Sequence, residues 1–212
     1  GPVGAATAFN VYFFLKIFVE WAGSNKPALG AVVELSDALG ITFFVGSITT
    51  DQGLPELELW SYSKSTQGVL GRSPFRTLVS YFEISQLEVI DLPRDRSVIV
   101  LLRDNVLPTL VMASPVDNFA TRDGTIRVSG SAYDSQSGFV FDPNDPQAAS
   151  MYVQVSSDNV TWQTVNVRAS SVFEVQFDYT FTGLQQDVDA IYIRALDEAA
   201  NIFLKVIPIR ID

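Results

Sequence analysis

The chain has 212 residues, and 47% of them are hydrophobic, enough to fill the cores of two domains of about a hundred residues each. Cysteine and histidine are both absent, which excludes disulfides, Ser-His-Asp and Cys-His catalysis, and zinc sites of the usual His/Cys kind. The formal net charge of -10 disfavours a nucleic-acid partner because phosphate would be repelled, and no run of about eighteen apolar residues is present to span a membrane.

The first predicted element is a long strand with two apolar faces. One face consists of the alternating residues Val11, Phe13, Leu15, Ile17, Val19 and Trp21. Tyr12, Phe14 and Phe18 lie on the opposite face. A strand that is buried on both faces is either a central strand of its own domain or pairs with the sheet of a neighbouring subunit. The sequence leaves both interpretations open.

A series of turn signals follows this strand. The segment from Gly23 to Leu35 has the sequence GSNKPALGAVVEL, a turn follows at 36–40, and TTDQG ends at Gly53. In this order the segments resemble the carboxypeptidase-regulatory-like (transthyretin-like) β-sandwich domain, over residues 10–103. The resemblance implies a sandwich domain of the kind that serves as an extracellular building block.

The middle of the chain predicts strands rather than helices. Val98–Leu102 is a continuous apolar run and predicts a central strand. Only 77–90 and 146–150 have patterns compatible with a helix, and neither carries convincing caps. The predicted fold class is therefore all-β, with two consecutive β-sandwich domains at 1–112 and 113–212. The composition shift that marks the boundary lies near residue 112.

The second half carries an ordered set of strand and turn signals. It begins with SPVD at 114–117 and GTIRVSGSAYD at 124–134, and continues with YVQVSSDNVTWQTV at 152–165. The closing hairpin has a period-two strand at Ala190–Leu196 and an acidic turn, DEAAN, at 197–201. These segments resemble bacterial immunoglobulin-like domains of prokaryotic cell-surface proteins over residues 113–212. Those domains carry D-x-A-G-N in the last turn, and here Ala200 replaces the glycine.

Five oxygen-bearing side chains in predicted loops of the second half are candidate calcium ligands: Asp134, Asp142, Asp145, Asp197 and Asn201. Calcium takes about six to eight oxygen ligands, which several loops together can supply. The resemblance to immunoglobulin-like arrays also implies calcium at the ends of domains. The alternative is that these residues only cap turns through hydrogen bonds to the backbone. Asn159 begins an N-V-T sequon in a predicted hairpin turn and is a candidate glycosylation site.

These observations favour a non-catalytic structural or adhesive module of an extracellular assembly, such as a surface layer, filament or stalk subunit. The expected partners are copies of the chain itself or neighbouring domains of the assembly, with a glycan as a further candidate, and the expected location is the cell surface. The alternative is an accessory, carbohydrate-binding region of a secreted hydrolase. Trp21, Trp60 and Trp162 would then form a sugar-stacking platform, although tryptophans in such sandwiches usually belong to the core.

Overall fold

A computed structural model describes residues 9–115, 119–139 and 152–212 of the chain. These residues form strands joined by turns and loops, which confirms the all-β class. They belong to two compact units, the first ending at Arg103 and the second beginning at Asp104. The boundary predicted near residue 112 falls inside the strand Thr109–Ser114, which pairs with another strand of the second unit. No helix among the described residues is long and apolar enough to cross a bilayer.

The first unit is a sandwich of two four-stranded sheets. Its strands are β1 (Phe9–Trp21), β2 (Val32–Ser36), β3 (Thr42–Ser47), β4 (Leu57–Ser65), β5 (Gly68–Gly71), β6 (Phe75–Tyr81), β7 (Ile84–Ile90) and β8 (Arg96–Leu102). One sheet has the order β5-β4-β1-β8 and the other has the order β3-β2-β6-β7. All neighbours are antiparallel except β1 and β8, which run parallel from Leu15 to Trp21 of β1.

The predicted inner face of β1 is confirmed from Leu15 onward, whereas Val11 and Phe13 are only partly buried. Leu15, Ile17, Val19 and Trp21 are almost completely buried between the two sheets. Full burial of an apolar side chain stabilises a fold by about 1.5–3 kcal/mol, so this strand contributes a large part of the first core. On the opposite face, Tyr12 and Phe14 remain about half exposed, so the described residues of the chain do not bury this part of the face.

The pairing of β1 changes along its length. Residues 9–15 pair with β4, whereas β8 lies alongside only from Leu15 onward. Before that point, the Phe14 amide donates a hydrogen bond of 2.8 Å to Asp95 Oδ1 on the side where β8 would continue. The second half of β1 is therefore a central strand, and the first half has one edge without a neighbouring strand among the described residues.

The middle of the chain contains the hairpin of β6 and β7 and the strand β8. The apolar run Val98–Leu102 lies in β8, which is the last strand of its sheet order, so the prediction of a central strand is wrong. Its exposed residues Ile99 and Leu101 lie on the face away from the core. The segment 77–90, whose pattern was compatible with a helix, forms the hairpin of β6 and β7. The segment 146–150 lies outside the described residues.

The second unit is also a sandwich of two sheets. Its strands are β9 (Thr109–Ser114), β10 (Phe119–Thr121), β11 (Ile126–Tyr133), β12 (Val153–Ser156), β13 (Gln163–Thr164), β14 (Asn166–Ser171), β15 (Glu174–Phe181), β16 (Ala190–Leu196) and β17 (Ile202–Ile211). The sheet orders are β14-β15-β11-β9 and β10-β17-β16-β12-β13. The cis peptide bond between Ser114 and Pro115 lies between β9 and β10, where the chain passes from one sheet to the other.

This strand order is that of an immunoglobulin-like sandwich. Strands β9, β11, β15 and β14 occupy the places of strands A, B, E and D, and β12, β16 and β17 occupy those of C, F and G. The core contains the predicted inner face of β16, with Ile191, Ile193 and Ala195 completely buried, and Val175 and Phe177 of β15 pack in the same cluster. The prediction of an immunoglobulin-like second sandwich is therefore confirmed.

Gly130 of β11 permits a close approach of β9. A Cβ atom at this position would lie 2.2 Å from the Val111 carbonyl oxygen and 3.1 Å from the Met112 Cα atom. The pairing of the two strands also shifts register between Ser129 and Gly130. Any side chain here would push β9 away from the sheet, so this position requires glycine.

Candidate metal centre

Three aspartates of the second unit converge at one end of the sandwich. Asp104 precedes β9, Asp134 follows β11 and Asp197 follows β16. One carboxylate oxygen from each residue lies within 4.8 Å of one from each of the others. The strands β11 and β16 belong to opposite sheets, so the sandwich itself brings their terminal aspartates together.

Each aspartate begins a turn and accepts hydrogen bonds from that turn. Asp104 Oδ1 accepts from the Val106 amide at 2.8 Å. Asp134 Oδ2 accepts from the Gln136 amide at 3.3 Å and also from the Gly138 amide. Asp197 Oδ1 accepts from the Asn201 amide at 2.8 Å. These Asx-type turns fix the three carboxylates and agree with the turn-capping alternative.

The three turns are also bonded to one another. The Ser137 amide donates to Asp104 Oδ2 at 2.8 Å, the Glu198 amide donates to the Gly138 carbonyl oxygen at 3.0 Å, and the Ala199 amide donates to Ser137 Oγ at 3.3 Å. Hydrogen bonds therefore connect the three turns and hold the carboxylates in place.

Turn capping does not account for the whole arrangement. Asp104, Asp134 and Asp197 are exposed by only 7%, 3% and 2%, and within the described segments none of them forms an ion pair with Lys or Arg. Asp134 Oδ1 is buried and has no hydrogen-bond partner there. Buried charges are normally paired or bound to a metal, and buried carboxylate oxygens are normally hydrogen-bonded. Among the residues that the structure describes, the cluster thus lacks a positively charged partner.

The pKa values of two of the three aspartates are raised. Burial, assisted by the charges of Asp104 and Asp134, raises the pKa of Asp197 to about 6, although hydrogen bonds from Asn201 act in the opposite direction. Burial and the Asp104 charge also raise the pKa of Asp134. Without a cation, this repulsion favours the protonated form of Asp197 at pH values below about 6. A divalent cation would relieve it by charge neutralisation, so the group could hold a metal.

Two of the five predicted calcium ligands lie in the cluster of aspartates. Asp134 and Asp197 lie in the cluster, whereas Asp142 and Asp145 lie outside the described residues. Asn201 lies beside the cluster, and its Nδ2 donates to Asp197 Oδ2 at 2.8 Å and to the Asp104 carbonyl oxygen at 3.2 Å. Through this amide nitrogen, Asn201 holds two of the turns in place.

Asp104 is not among the ligands that the sequence predicts. The residue belongs to the Asp104-Asn105 pair directly after a strand, a pattern that signals a turn and the end of the first domain but not a ligand.

Two predicted turns of the second unit contain residues with positive φ, Ala200 and Asn159. Ala200 has a φ of 68°, so the left-handed turn of the D-x-A-G-N pattern is retained although the glycine is replaced. Asn159, also with positive φ, is exposed in the turn after β12, where glycosylation stays a prediction.

The three tryptophans have different surroundings within their own units. Trp21 is 2% exposed in the core of the first unit. Trp60 of the first unit and Trp162 of the second are partly buried, and each lies beneath a guanidinium group, with Arg72 at 5.1 Å from the ring centroid of Trp60 and Arg194 at 4.0 Å from that of Trp162. Each tryptophan therefore belongs to a local setting of its own.

No family model and no curated protein matches the chain. Solved structures match at low identity. The major pilin subunit BcpA of Bacillus cereus is 9% identical, with a TM-score of 0.35 over 95% of this chain and 69% of that chain. Bovine butyrophilin is 6% identical, with a TM-score of 0.34 over 93% and 98% of the two chains. The TIE protein of Bacillus anthracis is 11% identical, with a TM-score of 0.33 over 95% and 32%. At such values these similarities say nothing about function.

Proposed function

We propose that this protein is a non-catalytic structural or adhesive module of an extracellular assembly, and that calcium stabilises its second unit. The observation that carries the proposal is the buried group of Asp104, Asp134 and Asp197, which has three carboxylates and no cationic partner among the described residues. Carboxylates are hard oxygen ligands, which suit calcium better than transition metals.

The enclosed position of the cluster favours a structural role over catalysis. Carboxyl groups with raised pKa values often mark active sites, but a substrate must be able to reach them. All three side chains are almost completely buried, so the group suits a small ion better than a substrate. A calcium ion here would join the loop before β9 to the turns after β11 and β16, which come from both sheets.

The proposed ion also supports the proposed location. Calcium sites of extracellular modules have dissociation constants of about 10⁻⁴–10⁻³ M, and they are filled only where calcium is abundant. A site of this kind would stabilise the second unit outside the cell and leave it less stable inside. The acidic chain, with a net charge of -10, agrees with such a setting.

Thermal unfolding of the full chain with calcium, with magnesium and with a chelator tests this proposal. For a dissociation constant of about 10⁻⁴–10⁻³ M, ten-millimolar calcium stabilises the folded state by about 1.4–2.7 kcal/mol. For a unit of this size, the unfolding temperature should then rise by about 6–20 °C relative to the chelator sample. Equal unfolding temperatures in all three samples would rule out the calcium site.

The first half of β1 supports the proposed assembly. Phe9 is 69% exposed and Tyr12 is 50% exposed, and the edge of residues 9–13 that faces away from β4 has no neighbouring strand in the part of the chain that the structure describes. An apolar strand edge with unpaired backbone groups is a template for another strand. We therefore propose that this edge pairs with a strand of a second copy or of a neighbouring subunit.

A single backbone change tests the edge. The Tyr12 amide lies two residues before that of Phe14 and so points to the same open side. Tyr12→Pro removes this donor, and proline is tolerated at edge positions whose N–H faces solvent. Tyr12→Val keeps the amide and serves as the matched control. Sedimentation and electron microscopy should show assemblies for Tyr12→Val and their loss for Tyr12→Pro; equal assembly of both variants would refute strand pairing.

The proposal also includes the family resemblance of each half of the chain. The carboxypeptidase-regulatory-like character of the first unit is an inference from its turn sequences, and the second unit's kinship with bacterial surface domains is an inference from its ordered segments. Both are compatible with a role in a surface layer, filament or stalk, and electron microscopy of native material with calcium and with chelator distinguishes such an assembly from an isolated module.

A further inference from the structure

The first unit contains a small pocket beside β4. Its volume is about 190 Å³, and its walls include Ile41, Phe43, Glu58, Trp60, Arg72 and Phe75. Pockets that enclose drug-sized ligands have volumes of about 300–1,000 Å³, so this one fits a single ring. We call it the Trp60 pocket.

Hydrogen bonds hold the pocket in shape. Asp37, which is 2% exposed at its base, accepts hydrogen bonds from the Leu39 amide at 2.9 Å and the Ile41 amide at 3.0 Å, and it forms an ion pair with Arg72. The backbone of Arg72 donates to the Ser61 carbonyl oxygen at 2.8 Å. The ion pair with Asp37 holds the guanidinium above the Trp60 ring, and the backbone bond to Ser61 anchors Arg72 beside β4.

The walls combine an apolar surface with one buried donor that has no partner among the described residues. Phe75 is buried and Phe43 is about half exposed, and their rings contact each other at a centroid distance of 5.8 Å. Trp60 Nε1 is buried and has no hydrogen-bond acceptor among the described residues. A buried donor without a partner is uncommon and is satisfied when a ligand supplies the acceptor. Glu58 adds an exposed carboxylate, which accepts hydrogen bonds.

The charges indicate which ligand fits. Burial acts to raise the pKa of Asp37, but hydrogen bonds from the Ile41 amide and from Arg72 outweigh it and hold this pKa below its ordinary value. Asp37 and Arg72 therefore neutralise each other, and Glu58 leaves the pocket with a single negative charge. This charge disfavours an anionic ligand. The donors of Trp60 and Arg72 and the acceptor Glu58 suit a ring that carries several hydroxyl groups.

We propose that the Trp60 pocket binds one neutral pyranose ring of a glycan, with the sugar packed against the aromatic wall and its hydroxyl groups bonded to the Trp60 indole and the Glu58 carboxylate. A tyrosine side chain of a protein partner offers only one hydroxyl group and would leave part of this polar wall unused. Such binding would give the chain a carbohydrate-binding site that depends neither on calcium nor on assembly through β1.

The indole N–H resonances of the protein provide a direct test. The chain contains three tryptophans, so a ¹H–¹⁵N spectrum has three indole signals, and Trp60→Phe identifies the one from the pocket. Methyl glycosides of glucose, galactose, mannose and N-acetylglucosamine are titrated separately. We expect one of them to shift the Trp60 signal with millimolar affinity, as is usual for a ligand of one ring, while the signals of Trp21 and Trp162 stay in place.

Variants complete the test. Trp60→Phe keeps a ring but removes the donor and should weaken binding by about two- to tenfold, and Glu58→Gln should weaken it by about tenfold because hydrogen bonds to charged groups are stronger. Trp162→Phe is the matched control, since this tryptophan also lies under an arginine, and it should bind as the original chain does. N-acetyltyrosinamide is titrated in parallel. Binding of this probe alone, no response to any glycoside, or unchanged affinity in Trp60→Phe would overturn the proposal.

Discussion

Replacing Asp134 by asparagine shows whether this residue is a metal ligand or only a turn cap, because the two roles predict opposite changes in the stability of the metal-free protein. The Asp134→Asn variant retains the shape of the side chain and an oxygen that accepts from the Gly138 amide. It loses one of the three negative charges and directs a donor amide towards the other two carboxylates. We therefore expect the variant to be more stable than the original chain in chelator, and to gain nothing from calcium.

The magnitude follows from the distances and the pKa values. Two unit charges 4.8 Å apart repel by about 3.5 kcal/mol at an effective dielectric constant of about 20. Proton uptake limits this repulsion, because raising the pKa of Asp197 from 3.8 to about 6 corresponds to about 3 kcal/mol. Exchanging a charged acceptor for a neutral one loses about 1 kcal/mol. The expected net gain in chelator is about 1–2 kcal/mol, or about 4–16 °C in unfolding temperature.

Differential scanning calorimetry of the full chain, with chelator and with calcium at pH 7, measures both effects. The original chain should gain about 1.4–2.7 kcal/mol from calcium, whereas the variant should gain none. Asp178→Asn is the matched control, since it removes an acidic residue of the same unit whose ion pair with Arg127 is exposed to solvent. This control should keep the full response to calcium and lose at most about 1 kcal/mol.

A variant that is less stable in chelator by about 1–3 kcal/mol, together with an original chain that does not respond to calcium, would refute the reasoning. Asp134 would then be a buried turn cap, and its unbonded oxygen would be a local defect rather than a ligand. A response to calcium that survives in the variant would equally refute the assignment of Asp134 as a ligand.

Three further predictions concern stability. Because the folded state binds a proton at Asp197 more tightly than the unfolded state does, metal-free stability should rise by up to about 3 kcal/mol as pH falls from 7 towards 4, and Asp197→Asn should flatten this urea-unfolding profile. Ala200→Gly should raise stability by about 0.5–1 kcal/mol by relieving a left-handed alanine, visible as a higher unfolding temperature. Gly130→Ala should lower stability by about 2–3 kcal/mol or more in urea unfolding, whereas Gly71→Ala, with its nearest atoms at 3.9 Å, should lower it far less.

Local patterns in the sequence predicted the strands because alternation reports burial directly. The inner face of β16, and that of β1 from Leu15 onward, follow the period of two, and the structure buries them as predicted. The same pattern does not report a strand's neighbours. The apolar run of β8 has the composition of a central strand, yet among the described residues β8 lies at the edge of its sheet, because an apolar side-chain pattern does not report which edges of a strand are hydrogen-bonded.

The candidate site was predictable only in part for a related reason. Asp134 and Asp197 each belong to a turn that is recognisable in the sequence, which allowed their prediction as oxygen ligands. Asp104 looks like an ordinary turn residue between domains, and only the pairing of β9 with β11 places it beside the other two. Spatial convergence of three turns depends on strand register, which single turn sequences do not encode.

The parallel strand pairs have a mechanical consequence. β1 and β8 run parallel over seven residue pairs, and β10 and β17 run parallel in the second unit. Tension that pulls on the start of the first strand and the end of the second makes such strands slide past each other, so all their interstrand hydrogen bonds carry load together and none opens first. Each unit would therefore resist stretching by shear, and single-molecule pulling would register this as a high rupture force.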